Sequence, residues 1–429
     1  MNPPHYRSNW GMILADYVLW GMAMNLIGLS TVMPAFVRQF TDSALIIGMV
    51  NTVWNGAWLI PQLAAANALS HIPRKQSALV RAGLQSRINL LLIALALALG
   101  LWQRPGWLLV VFFALLTLFF GFDAFCSIAW FDIVAKAIPA NRRGRLFGIG
   151  QVVTSLVAIA IGAFVRWILG PQGPAFPMNY AWLFGLAGLC TLLGLGALAS
   201  IHEPLEDVPE ERASWRSYLP QLAKILREQK AYRRAIAAWL ISGLVTLASP
   251  FYVLFATDQL RLAPETIGLF IIAQTLGGLI GSSGFGALAE RKGSGAVIRA
   301  SVAASVTGPL MALAMYSVRG ASWLTWAYAW VFVALGIVNS SIMLGFMNYI
   351  LELAPPAQRP TYMGLSNTLG GVLVLVPMLG GWLLQATSYP VLFAAAAVGP
   401  VVAWGIAMGL PASHQTRDSA TQEHTVLQP

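Results

Sequence analysis

Residues 131–150 read FDIVAKAIPANRRGRLFGIG, and residues 347–366 read MNYILELAPPAQRPTYMGLS. Offset by 216 positions and without a gap, the first stretch lays Asp132 on Asn348, Pro139 on Pro355, Arg143 on Arg359 and Gly148 on Gly364. A second echo pairs RKQSALVRA at 74–82 with RKGSGAVIRA at 291–300, one residue longer. Both motifs interrupt long apolar runs at corresponding places. A chain that carries the same punctuation twice is built from two copies of one unit.

The apolar runs say what the unit is. Of 429 residues, 57% are hydrophobic and only 10% charged, with a mean hydropathy of +0.68. Soluble domains carry about 25% charged residues, so this chain cannot cover its surface with polar groups, and lipid is its expected solvent. Crossing the hydrocarbon takes roughly 20 apolar residues. Candidate spans run over about 11–36, 45–68, 78–101, 106–130, 146–169 and 180–201, then 235–257, 264–288, 296–318, 322–347, 361–384 and 388–411. The expected fold is an all-α integral membrane protein with twelve transmembrane helices. They form two six-helix bundles, 1–201 and 235–411, related by pseudo-twofold symmetry, with a linker at 202–234 and a disordered tail at 412–429. The first run is too long for a signal-peptide core and lacks a clear cleavage site, so it reads as a retained span.

Charge placement sets the expected orientation. With the N-terminus inside, twenty of the 26 Lys and Arg residues fall at cytoplasmic ends and loops and five, Arg38, Arg104, Arg166, Arg261 and Arg319, on the other side. That asymmetry follows the positive-inside rule and puts both termini in the cytoplasm, in a cell (inner) membrane. Because these charges sit in short loops rather than on one patch, the net charge of +10 does not indicate nucleic acid. Cys126 and Cys190 lie inside apolar runs, which argues against a disulfide framework or zinc site. In the linker, Trp215, Tyr218, Leu219, Leu222 and Leu226 follow helical spacing. Two readings stay open there, an amphipathic helix on the inner membrane surface and a solvated tether.

Six-plus-six architecture with these basic loops resembles the major facilitator superfamily over residues 10 to 411. The family's loop pattern G-x-x-x-[DE]-R-x-G stands after the eighth span as Gly286, Glu290, Arg291 and Gly293. The resemblance implies that these residues, with Arg143 and Arg359 in the paired loops, form a cytoplasmic gate whose acid accepts charge-assisted hydrogen bonds. The first copy is degraded, with Asn67, His71 and Ile72 where the glycine, acid and arginine belong. The family's drug–proton antiporters carry a Gly-Pro-rich fifth span. Here that span reads GIGQVVTSLVAIAIGAFV, without proline, which weakens an antiporter reading.

Three charges lie deep in the spans: Asp16, Arg87 and Asp123, all in the first half. Each stands roughly two to three turns from the cytoplasmic end, so they could meet. They could form a structural ion pair, bind substrate or couple protons; Arg87 could also snorkel to the surface. In span 2, Asn51, Trp54, Asn55, Trp58 and Gln62 share one helical face. Such a stripe suits a solute cavity or a polar seam to a neighbouring helix. Further cavity candidates are Gln151 and Thr154, with Ser155, in span 5; Asn339, with Ser340 and Ser341, in span 10; and Asn367, with Thr368, in span 11. Asp132 and Glu352, at span ends, read as solvated or capping.

No phosphate loop, H-E-x-x-H or intramembrane histidine occurs, so neither an enzyme nor a cofactor or metal site is expected. The chain reads as a monomeric secondary transporter of a small organic solute, neutral or amphipathic, working by alternating access, with protons a candidate coupling ion. The rivals are a proton-coupled exporter of drugs or metabolites and a non-transporting receptor or assembly factor.

Overall fold

The computed structural model describes residues 5–69, 72–204, 225–318, 321–355 and 358–411. The proposed linker helix around Trp215, with Arg212, Arg216 and Lys224, lies outside them. So do His71, Arg319 and the tail from 412 onward with His414, Arg417 and His424.

Among the described residues the fold is helical, with twelve helices long and apolar enough to cross a bilayer. Spans 1 to 6 are Tyr6–Arg38, Ala44–Leu69, Gln76–Ala98, Pro105–Ala137, Arg142–Ile168 and Met178–Ala199. Spans 7 to 12 are Lys230–Gln259, Thr266–Lys292, Ser294–Met315, Leu324–Leu353, Thr361–Ala386 and Tyr389–Met408. Helix is dictated by the solvent: hydrocarbon offers no partner for a backbone N–H or C=O, so each span must close its own hydrogen bonds. The apolar runs locate the spans, but the opening motif is less of a loop than its charges suggest. Span 4 continues to Ala137, a new helix starts at Ala140, and only Ile138 and Pro139 join them. At 33 residues span 4 is roughly 50 Å long, so its last turns, with Asp132 and Lys136, extend past an apolar layer of roughly 30 Å. Span 10 likewise ends at Leu353, just before Pro355.

The chain forms two compact units, one of residues 1–211 with Leu262–Ile272, the other of 212–261 with 273–429. In the first, span 3 packs between spans 4 and 6, span 1 packs on spans 5 and 6, and span 2 on span 4. In the second, span 9 packs between spans 10 and 12, and span 7 packs on spans 11 and 12. The neighbours are the same, six spans on. Each unit is also pinned by an equivalent set of four rings. Phe36 of span 1 meets Phe112, Tyr180 and Phe184, each centroid 5.2 Å away. Phe255 of span 7 meets Tyr328, Tyr389 and Phe393 at 5.8, 5.2 and 5.1 Å. Tilted and edge-on ring pairs at these distances add specific geometry to packing.

Both copies contain interrupted spans, spans 1 and 2 in the first, but the interruptions fall at different places. Spans 3 and 4 are single α-helices, and span 5 lies within one, Ala140–Ile168. Span 7 tightens into a 3₁₀ segment at Gly243–Ala248 before Pro250 and ends in a π turn at Phe255–Gln259. Span 10 has a π turn at Ile342–Met347, and span 11 a 3₁₀ segment at Gly371–Leu375 ahead of Pro377. Proline removes a backbone donor and crowds the preceding turn, which accounts for the segments beside Pro250 and Pro377.

Where lipid gives no hydrophobic drive, helices associate by close backbone packing at small residues. A side chain on Gly277 of span 8 would strike the Val333 carbonyl of span 10, and one on Gly336 would strike the Gln274 carbonyl. We therefore expect Gly277→Ala to force the two spans apart and destabilise the fold by about 1–3 kcal/mol. Gly284→Ala, whose new methyl would meet nothing within 4 Å, should melt close to wild type. Thermal unfolding in detergent compares the two.

Candidate functional site

The deep charges converge inside the first unit. Arg87, in the middle of span 3, is 3% exposed, and Asp16 and Asp123 are each 6% exposed. Arg87 Nη1 donates to Asp123 Oδ1 at 3.2 Å and to Cys126 Sγ at 3.4 Å, one turn further along span 4. Its guanidinium lies 5.1 Å from the Trp20 ring centroid of span 1, and Trp20 stacks on Phe119 at 5.8 Å. Beside it, Ser86 Oγ donates to the Phe119 carbonyl at 2.7 Å, fixing span 3 against span 4. Asp16 is held differently. Its Oδ2 accepts from Trp130 Nε1 at 2.9 Å. Its Oδ1 fills the space left by Gly194 of span 6, where a methyl would come within 2.8 Å.

The expectation that these three charges could meet is therefore resolved unequally. Arg87 and Asp123 pair directly, while Asp16 takes a neutral donor as its hydrogen-bond partner. Two carboxylates share the region with one guanidinium, whose Nε finds no hydrogen-bond partner among the described residues. Burying a charge is tolerable only when it is paired or hydrogen-bonded, and the Arg87–Asp123 pair meets that condition. Arg87 does not snorkel to a surface.

The stripe of span 2 turns toward the same place. Trp58 lies beside Asp123, Trp54 lies 6.1 Å from Phe120, and Asn51 is 4% exposed. Asn55 Nδ2 donates to the Asn51 carbonyl at 2.9 Å, whereas Asn51 Nδ2 has no partner among the described residues. Trp54 and Trp58 thus lie along the seam with span 4. The assumption of one continuous helix breaks at Pro61: the segments are Ala44–Leu59 and Gln62–Leu69, so Gln62 opens a new segment instead of extending the stripe.

The paired-span candidates divide. Tyr17 donates from its hydroxyl to Gln151 Oε1 at 3.2 Å, and Gln151 Nε2 donates to Ser155 Oγ at 3.3 Å. Thr154 Oγ1 is buried without a partner among the described residues. Asn339, Asn367 and Thr368 are exposed. Ser340 and Ser341 return their hydroxyls to the Ile337 and Val338 carbonyls at 2.7 and 2.6 Å, the local bonding that a serine in a membrane helix commonly makes.

On the basic face, Arg143 donates to the Ala135 and Ile138 carbonyls at 2.5 and 2.9 Å, capping the end of span 4. Its counterpart Arg359 opens the helix Arg359–Gly370. Glu290 and Arg291 are exposed, and Gly293 holds the left-handed φ of 76° that precedes span 9. Nothing lies within 4 Å of a methyl built on Gly286. Glu352 accepts from Ser294 at 2.6 Å. In the first unit Asp132 forms ion pairs with Lys75 at 2.8 Å and Lys136 at 2.7 Å. One residue here escaped the sequence reading: Glu203, at the head of the linker. Its two carboxylate oxygens accept from the Lys75 and Gln76 backbone N–H groups at 3.0 and 2.8 Å. The signal was there: an acid directly after a span, in the half whose loop lacks one.

This architecture has known relatives. The family model for the Major Facilitator Superfamily matches residues 87–373 and 234–428, and the chain belongs to that family. Its members are transporters, not enzymes. An uncharacterized protein of Mycobacterium tuberculosis and one of Mycobacterium bovis are each 25% identical to it over 278 residues, 62% of this chain. The match spans about half of those relatives' length, 51%. Among solved structures, the nucleoside transporter NupG superposes with a TM-score of 0.67 at 12% identity, over 95% of this chain and 99% of its own. A bacterial homologue of the iron transporter ferroportin gives 0.66 at 15%, covering 94% and 98%. A D-xylose-proton symporter gives 0.63 at 15%, covering 95% and 97%. The last three show the shared fold.

Removing one member of a buried ion pair leaves the other uncompensated, at a cost of about 3–5 kcal/mol. Asp123→Asn and Arg87→Gln should each destabilise strongly. The double variant should lose less than the sum by about 1–3 kcal/mol, measurable as a thermal double-mutant cycle.

Proposed function

We propose that this protein is a secondary transporter that carries a small organic solute by alternating access, exposing its site first to one side of the membrane and then to the other. The basic face is the cytoplasmic one, with both termini there, and the units over 1–201 and 235–411 are the halves that move. The observation that carries the reading is the buried set in the first unit: Arg87 neutralises Asp123, and Asp16 is left with the indole of Trp130. A carboxylate inside a membrane helix without its own ion pair marks a transport or proton pathway by default. We assign Asp16 the proton and Arg87–Asp123 the role of fixed neighbour. The solute is neutral or amphipathic, since one net negative charge in the set is met by the proton.

The names of the fold neighbours (nucleoside, iron, D-xylose with protons) point to different cargoes, so fold leaves the solute open. A ligand screen by thermal shift identifies it first, because a solute at a hundred times its Kd stabilises by about 2.7 kcal/mol. In proteoliposomes, uptake of that solute should follow an imposed pH gradient in the wild type. Asp16→Asn should abolish that dependence while leaving solute exchange intact. Wild-type uptake indifferent to the gradient removes the proton. A protein that binds a partner tightly while no solute crosses supports the receptor reading instead.

A further inference from the structure

Span 3 has three faces, and two of them are occupied. Toward span 4, Ser86 bonds the Phe119 carbonyl and Arg87 pairs with Asp123. Toward span 6, a methyl on Gly83 would strike Leu195 and one on Gly188 would strike Leu91, so the two helices touch closely. The third face carries Gln85, Ile88, Leu92, Leu95 and Leu99, all exposed. Their steps of three, four, three and four residues match the a/d seam of a coiled coil. Four of the five are aliphatic, as a lipid-facing helix requires. Gln85 is the exception.

Its depth makes the exception costly. Span 3 runs from Gln76 to Ala98, so Gln85 lies about 14 Å from the basic end and about 20 Å from the other, at 1.5 Å of rise per residue. The side chain is shorter than either distance. Its amide makes no hydrogen bond among the described residues; Asn89 uses only the Gln85 backbone carbonyl. An amide in hydrocarbon needs a partner. The second unit does not repeat the problem. The echo that lays Ala82 on Ala300 carries Gln85 onto Ala303 and Leu92 onto Leu310. Ala303 is exposed, and Thr307, one turn further along span 9, returns its hydroxyl to the Ala304 carbonyl at 2.6 Å.

We propose that the outer face of span 3 is a dimerisation seam whose occupant is the same face of a second copy of this chain. Copies in one membrane share one orientation, so two Gln85 side chains stand at equal depth without adjustment. An amide carries both donors and an acceptor. About a twofold axis along the membrane normal, each Gln85 therefore gives one hydrogen bond and takes one. Ile88, Leu92 and Leu95 pack as the apolar rungs, and the single polar rung fixes their register. Arg81, one turn nearer the basic surface, turns its Nε back to the Ser77 carbonyl at 3.3 Å, which draws its charge toward that surface. The seam does not rest on the transport reading, and it replaces the monomer expected from sequence.

Full-length protein labelled at its C-terminal end with donor or acceptor, mixed in liposomes at falling protein-to-lipid ratio, reads the dimer by energy transfer. Gln85→Leu should weaken dimerisation by about threefold to thirtyfold, the range for a side-chain hydrogen bond between membrane helices. Gln85→Asn, which keeps the amide, should retain most of it. Both variants should keep wild-type helicity by circular dichroism, which separates loss of contact from loss of fold. With Cys190→Ala as background, Leu92→Cys should give a covalent dimer on oxidation with copper phenanthroline. Leu310→Cys, at the counterpart position of span 9, should not. A dimer unmoved by Gln85→Leu, or one that cross-links through Leu310→Cys in place of Leu92→Cys, overturns the seam. So does a wild type that shows only random-proximity transfer at every ratio, which would leave Gln85 to a different membrane protein.

Discussion

The constraint behind this structure is the absence of water in the middle of a bilayer. Each polar group that enters the hydrocarbon must find its partner within the protein. Backbone groups do so by forming helices. The hydroxyls of Ser86, Ser305, Ser340 and Ser341 do so by returning to carbonyls. Arg87 does so with a carboxylate, a thiol and an indole face at once. The same rule makes the exceptions informative. Asn51 Nδ2, Thr154 Oγ1 and Arg87 Nε of the first unit and the Tyr252 hydroxyl of the second are buried without a hydrogen-bond partner among the described residues.

Buried charge is divided unequally between the two copies. The first unit holds the Arg87–Asp123 pair on spans 3 and 4, each a single α-helix, while Asp16 lies on span 1, which like span 2 is interrupted. Among its described residues the second holds no buried equivalent of Arg87 or Asp123, and its spans 7, 10 and 11 contain 3₁₀ or π segments. Such segments leave carbonyls off the regular ladder and often mark functional turns. A duplicated unit has thus kept its aromatic pins, Phe36 and Phe255 with their three rings each, while its copies diverged in chemistry.

The basic face shows how a helix start can be capped from far along the chain. A short pattern such as G-x-x-x-[DE]-R-x-G is local in sequence, but what it provides is a negative charge near a helix start. That need is spatial, and any residue brought to the place can meet it. Glu203 lies more than a hundred residues away along the chain from the helix it caps. By contrast, Glu290 of the intact pattern is exposed, and the start of span 9 bonds Glu352 of span 10 through Ser294.

Composition and repetition alone determined that the chain lives in lipid, crosses it twelve times and consists of two like halves, because apolar length and the 216-residue echo do not depend on how the helices pack. They also located the deep charges, since an ionisable residue inside an apolar run stands out without any structure. What only tertiary structure decided was pairing. Sequence could place Asp16, Arg87 and Asp123 at similar depth, but helix rotation and the space at Gly194 decided that Arg87 bonds Asp123 and that Asp16 bonds Trp130. It also turned Trp54 and Trp58 onto span 4, interrupted their stripe at Pro61 and carried Glu203 to span 3. A helical face is legible from periodicity. Which neighbour it faces depends on contacts between residues distant in the chain, and no local pattern encodes those.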